Sequence, residues 1–180
     1  QFLLAMPSMG DPRFLRSVIY MVAHDSEGAM GFIINKRAEG LSLGDILKDM
    51  PETVAKTGLV NLPVYVGGPV QNDRGFVLHT SDYEKTHNTL SQELPIALTQ
   101  SAGVLVDAAH GRGPEKMRLF LGYAGWGPGQ VEGELQDNSW LVCDANITEI
   151  FTSQSDDLYE KCVAAMGIDL ALLSNEGGEA

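Results

Sequence analysis

A chain of 180 residues with 44% apolar and 20% charged side chains can bury one sizeable core, and this balance excludes a disordered chain. Its net charge of −12 works against binding nucleic acid phosphates or anionic lipid heads. It contains no apolar run of about 18 residues, the length a membrane-spanning helix needs.

The acidity is uneven. Residues 132–180 hold eleven Asp or Glu against one base, Lys161, which reads as a solvated acidic face. The opening QFLLAMPSM lacks the positively charged leader of an export signal and reads as a first strand over residues 2–6, stopped by Pro7. The two cysteines, Cys143 and Cys162, stand far apart in no Cys-x-x-Cys or metal-type spacing. They are expected to be buried and reduced rather than bridged, consistent with a cytoplasmic location.

Turn residues in PSMGDPR separate that strand from two β-branched runs, SVIYMVAH (17–24) and AMGFIINK (29–36), which the short DSEG joins as a hairpin. LSLGDILKDM (41–50) has the i, i+3, i+4, i+7 spacing of an amphipathic helix, with Leu43, Ile46, Leu47 and Met50 on one stripe and Ser42 as N-cap. PVYVGGPV (63–70) predicts a strand running into a Gly-Gly-Pro turn, and GFVLHT (75–80) its antiparallel partner. LPIAL (94–98) predicts another strand. SAGVLVDAAHGRG (101–113) reads as a helix from Ser101 to a stop at Gly111. KMRLFLGYA (116–124) predicts a central strand and SWLVCDA (139–145) one more. SDDLYEKCVAAMG (155–167) is a helix with Ser155 at its cap and Asp156 and Asp157 in its first turn. Leu158, Tyr159, Cys162, Val163 and Met166 form its buried face. Hairpins with interspersed helices predict an α+β fold in a single domain over residues 1–180. The tail 174–180 has nothing to pack against and is expected to be mobile.

Several separated phrases carry a resemblance: FLLAMPSMGDPRFLRSVIYMVAH with GAMGFIINK, YVGGPV with RGFVLHT, and LGYAGWGPGQVEGELQDNSWL. Together, in this order and across essentially the whole chain, they resemble the AlgH/YqgE family of bacterial proteins. Val131 stands where that family usually carries Leu, an apolar-for-apolar change. The resemblance implies a mixed, largely antiparallel, bifurcated sheet that partly closes into a small barrel flanked by helices. It implies no reaction. The family name reflects a proposed part in regulating alginate synthesis, so a transcriptional regulator acting through a protein partner is one reading.

The candidate site centres on GYAGWGPGQVEGEL (122–135), where glycines crowd around Trp126. Gly127 and Gly129 permit close backbone approach, and Pro128 suits the first turn of a following helix. On that helix Gln130 and Glu134 share one face and Glu132 and Gln136 another. Trp126 either plugs the core or lines a pocket with Gln130 and Glu132 as polar anchors. Gly67, Gly68 and Pro69 form a second glycine turn that, lying alongside, frames a groove, and Asn35 is the polar residue expected there. No Walker-type lysine follows the glycines, so a nucleotide loop is not supported. His24, His79, His87 and His110 fall in no His-Glu-x-x-His or Cys/His pattern, and neither a metal nor a cofactor is expected. Arg13 and Arg74 read as solvated. A Gly-x-Ser-x-Gly elbow is missing, which leaves an enzyme of unknown reaction as a third reading. The leading expectation is a binding domain for a small molecule or a protein partner, monomeric or weakly self-associating, without direct nucleic acid or membrane binding.

Overall fold

The computed structural model describes residues 1–49, 58–83, 89–93, 96–152 and 157–168. Met50 of the first helix stripe, Leu94 and Pro95, His87, the proposed cap Ser155 with Asp156, and the tail 174–180 lie outside them.

The first strand, β1 (Phe2–Ala5), is buried throughout and takes two antiparallel neighbours, β2 (Val18–Asp25) and β10 (Trp140–Cys143). The predicted hairpin joins β2 to β3 (Gly28–Ile33), with the Asp25 carboxylate accepting from the Glu27 amide across the turn. β4 (Arg37–Ser42) follows and runs into α1 (Leu43–Ile46). There Ser42 Oγ accepts from the Asp45 amide and the Asp45 carboxylate from the Ser42 amide, a reciprocal cap that satisfies two open donors. Leu43 and Leu47 are buried as the stripe predicts, but Ile46 is exposed, because the helix tightens into a 3-10 turn at Leu47–Asp49 and rotates it outward.

β9 (Met117–Trp126) is the strand around which the sheet branches. One edge of it is shared. Residues Ala124–Trp126 pair antiparallel with β3, while Leu119–Leu121 pair parallel with β5 (Pro63–Val66). Its other edge pairs antiparallel with β6 (Val70–Thr80), which continues the sheet through β8 (Ile96–Thr99) to β7 (Thr89–Glu93). The chain between β5 and β6 therefore has to pass over β9. This corrects the expected pairing of 63–70 with 75–80: both strands pair with β9, on opposite edges, and four exposed residues (71–74) bulge out where β6 rejoins the ladder.

The crossing leaves no room for side chains. A Cβ on Gly67 falls 2.2 Å from the Gly122 carbonyl oxygen, and one on Gly68 falls 2.1 Å from the Tyr123 carbonyl carbon. Gly122, at φ +68°, adopts a left-handed turn that an L side chain resists. Gly67 pins the crossing on both sides: its amide donates to Leu121 at 2.8 Å and its carbonyl accepts from Ile33 at 2.8 Å.

The curled sheet buries three clusters. Its inner face, with Phe32, Phe76, Phe120 and Tyr65 in mutual ring contact, is closed by α4 (Ile147–Thr152) and α5 (Leu158–Ala165) through Ile150, Leu158, Tyr159 and Val163. The Tyr159 hydroxyl donates to the Ala5 carbonyl at 2.6 Å and locks α5 to β1. On the outer face of β1–β3, α3 (Gln130–Gln136) covers Leu3, Ile19, Ile33 and Trp126. On the outer face of β5, β6 and β9, α1 and α2 (Gly103–Ala109) cover Val64, Val77 and Leu119. The fold is mixed α+β, a half-barrel sheet of ten strands with five α-helices among the described residues.

Gly68→Ala is expected to cost about 3 kcal/mol or more, since its methyl group forces two backbones apart. Gly133→Ala, inside α3 where an added Cβ meets nothing within 4 Å, is expected to gain about 0.5–1 kcal/mol from helix propensity. Urea midpoints of the two variants check the contrast in sign.

Candidate functional site

The stretch 122–134 is not one loop. Gly122–Trp126 complete β9, residues 127–129 turn, and α3 begins at Gln130. Pro128 therefore precedes the helix instead of opening its first turn. Gly129 occupies the N-cap at φ +72° with no side chain to cap the helix, and the Gln130 side chain instead braces the preceding turn by accepting from the Gly127 amide at 3.0 Å.

The helix aims one carboxylate at two indoles. Glu134 Oε2 accepts from Trp126 Nε1 at 2.9 Å and from Trp140 Nε1 at 2.7 Å, while its other oxygen accepts from Gln130 Nε2 at 2.8 Å. The indoles meet edge to face with centroids 6.0 Å apart, and Phe14 stands edge-on to Trp140 at 5.5 Å. Trp126 is only 7% exposed. Its ring fills the cluster under α3, and its edge contributes to a groove beyond.

That groove has a volume of about 490 Å³ and opens at the end of the β2–β3 hairpin. Met30, Val70, Tyr123 and Trp126 supply an apolar floor, and Asp25 and Glu27 stand at the rim with no basic residue in the lining among the described residues. The crossing shapes it, because Gly68 lies flat on Tyr123–Ala124 and delivers Val70 next to Tyr123. Beside this groove, His24 and Glu132 form an exposed pair at 2.7 Å between β2 and α3. The bond from His24 holds the Glu132 carboxyl below its ordinary 4.5.

The sequence-predicted residues separate into distinct roles. Trp126 and Gly127 line the groove. Gly67 and Gly68 are buried in the crossing, and Pro69 leads from it into β6. Gly129 and Gln130 build the start of α3, and Glu132 pairs with His24. Asn35 lies elsewhere. Its side chain accepts from the Val18 amide and donates to the Arg16 carbonyl, both at 2.8 Å, tying the bend after β3 to the start of β2 and the loop before it. Sequence reasoning missed Met30, Val70 and Tyr123 as lining residues and Trp140 and Glu134 as the support beneath. The i, i+4 spacing of Gln130 and Glu134 was the available signal for the latter.

Two polar arrangements lie inside the fold. Arg118 is buried, donates to the Ile34 carbonyl at 3.1 Å and stacks 4.5 Å over the Tyr65 ring; burial pushes its guanidinium below the ordinary arginine range. Asp107 accepts from the Tyr83 hydroxyl at 2.7 Å, and desolvation with that bond raises the phenol to about 12. Among the described residues, no group of three or more His, Cys, Asp or Glu converges to hold a metal ion. None of their helices is long and apolar enough to cross a membrane.

Comparison with known proteins matches residues 2–171 to a family described as AlgH-like. A UPF0301 protein of Stutzerimonas stutzeri is 44% identical, covering 99% of this chain and 94% of its own length. Another, of Ruegeria pomeroyi, is 42% identical, covering 100% and 97%. The solution structure of the AlgH protein from Pseudomonas aeruginosa superimposes with a TM-score of 0.80 at 41% identity, over 99% of this chain and 94% of that one. A crystal structure of a Corynebacterium diphtheriae protein, at 24% identity and a TM-score of 0.71, covers 97% and 90% and shares the fold.

Glu134→Ala leaves two indole N–H groups without their acceptor and is expected to cost about 2–4 kcal/mol, with loss of near-ultraviolet tryptophan ellipticity alongside the drop in urea midpoint. For Glu132 the sign follows from its lowered value: the pair contributes above the unfolded carboxyl range and is lost as pH falls through the folded value. Carbon-13 NMR titration should find this carboxyl below 4.5, and His24→Ala should return it towards that value.

Proposed function

The chain belongs to the AlgH-like family, and from that premise we propose that it is a cytosolic binding domain whose groove beside Trp126 takes a ligand with an apolar body and a cationic end. The reading rests on one observation above the others, an apolar floor of Met30, Val70, Tyr123 and Trp126 rimmed by Asp25 and Glu27. Such a floor gains from covering apolar surface, and the rim favours an amine or guanidinium over a carboxylate or phosphate. A small molecule or a partner's side chain can supply both features. The overall charge of −12 supports the same preference and opposes direct reading of DNA.

Trp140→Phe leaves Trp126 as the sole fluorophore, since the chain has two tryptophans. Titration with amphipathic amines, basic peptides and matched carboxylates is expected to give saturable changes for the cationic members alone. Asp25→Asn and Glu27→Gln should each weaken that binding about fivefold, the scale of one screened surface charge. Equal response to carboxylates and amines, or no saturable response to any, contradicts the proposal.

A further inference from the structure

Outside the groove, the structure brings to one cavity the two cysteines that the sequence separates. Cys143 ends β10 and Cys162 lies within α5, yet their side chains come close enough to influence each other's ionisation. Both are free and half-buried, and both line a second cavity of about 490 Å³ between β10 and the α4–α5 pair. Phe2, Leu158 and Met166 contribute apolar wall to this cavity, while Asp144, Glu149 and Lys161 bring charge to it.

The two elements are held firmly on either side of that cavity. β10 pairs residue by residue with β1, Cys143 standing opposite Phe2. α5 is fixed by buried Leu158, Tyr159 and Val163 and by the bond from Tyr159 to Ala5, a residue of β1. Both thiols therefore ride on β1, one through its neighbour strand and one through the helix locked to it. A disulfide needs the sulfur atoms at about 2.05 Å, so the bond draws the two thiols together along the cavity wall they share.

We propose that Cys143 and Cys162 form a redox modification site, a dithiol that a peroxide entering the cavity converts to an intramolecular disulfide between β10 and α5. Burial pushes both thiols up, Cys162 to about 12, whereas the neighbouring Cys162 side chain favours the ionised form of Cys143. Cys143 is accordingly the attacking sulfur and Cys162 the resolving one. The Cys143 thiolate attacks one peroxide oxygen, the O–O bond breaks, and the departing hydroxide takes a proton to leave as water. The resulting sulfenic acid is attacked by the Cys162 sulfur, which gives up its proton as the S–S bond forms and a second water leaves. Two thiols lose two electrons in all, and the peroxide gains them. The bond runs along the wall of the cavity and joins α5 covalently to the sheet, so oxidation narrows the space between them.

Intact mass spectrometry of the full chain after hydrogen peroxide treatment tests this directly. The expected product is a monomer lighter by two hydrogen atoms, with a Cys143–Cys162 cross-linked peptide after digestion, both thiols lost together in titration, and full reversal by dithiothreitol. Its thermal midpoint should rise by about 6–12 °C, as closure of a loop of roughly 20 residues implies. Oxygen adducts at one cysteine without a cross-link, disulfide-linked dimers, or thiols that stay titratable after peroxide exposure would overturn the assignment. These readouts use the unsubstituted chain. Cys162→Ser, if it folds, should accumulate the sulfenic acid at Cys143 that a dimedone probe traps; labelling absent from that folded variant counts against Cys143 as the attacking group.

Discussion

The passage of the chain over β9 is the constraint on which the rest of the structure depends. A strand has two edges, and β9 serves three partners by dividing one edge between β3 and β5 while giving the other to β6. That division requires the segment after β5 to change sides within a few residues. It is possible only because Gly67, Gly68 and Gly122 let backbone lie on backbone at distances where any Cβ collides with a carbonyl. The branch curls the sheet, and the curl separates an inner aromatic core from the two outer clusters that α1 to α3 cover.

From that crossing the path to the groove is short. Val70 emerges beside Tyr123, and β9 continues to Trp126, so the floor is assembled from residues already fixed by the ladder. Glu134 then holds Trp126 and Trp140 with a single oxygen atom, a polar tie placed under an otherwise apolar cluster. A charged acceptor serving two donors orients the rings more strictly than packing alone, because turning either ring leaves an N–H unmatched. Trp126 fills the core with its body and borders the groove with one edge, while Gln130 and Glu132, expected as its polar anchors, bond to Gly127 and His24 instead.

Local features of the sequence carried over well. The hairpin at 25–28, the Ser42 cap, the Gly111 stop and the central place of KMRLFLGYA all follow from turn chemistry and periodicity within a few residues. What was not legible depends on long-range pairing. β4, with the polar sequence RAEGLS, is a strand because β5 supplies its partner, and nothing in its own composition says so. The glycines at 67 and 68 announced a turn, but not that the turn would press on residues 122–124. Asn35 looked like a binding residue since it follows an apolar strand; its partners, Val18 and Arg16, lie 17 and 19 residues back in the chain. The cavity that Cys143 and Cys162 share was hidden for the same reason, since no spacing rule connects a strand end to the middle of a later helix.

Amide hydrogen exchange at the crossing tests this account most directly. The Gly67 amide donates to Leu121 and the Ile33 amide to Gly67, each at 2.8 Å. If the branch at β9 organises the fold, both should exchange as slowly as the central ladder amides of β9, through global unfolding. Exchange at these two amides as fast as in the exposed 71–74 bulge would mean that the crossing opens independently, and the architecture would have to rest on something else.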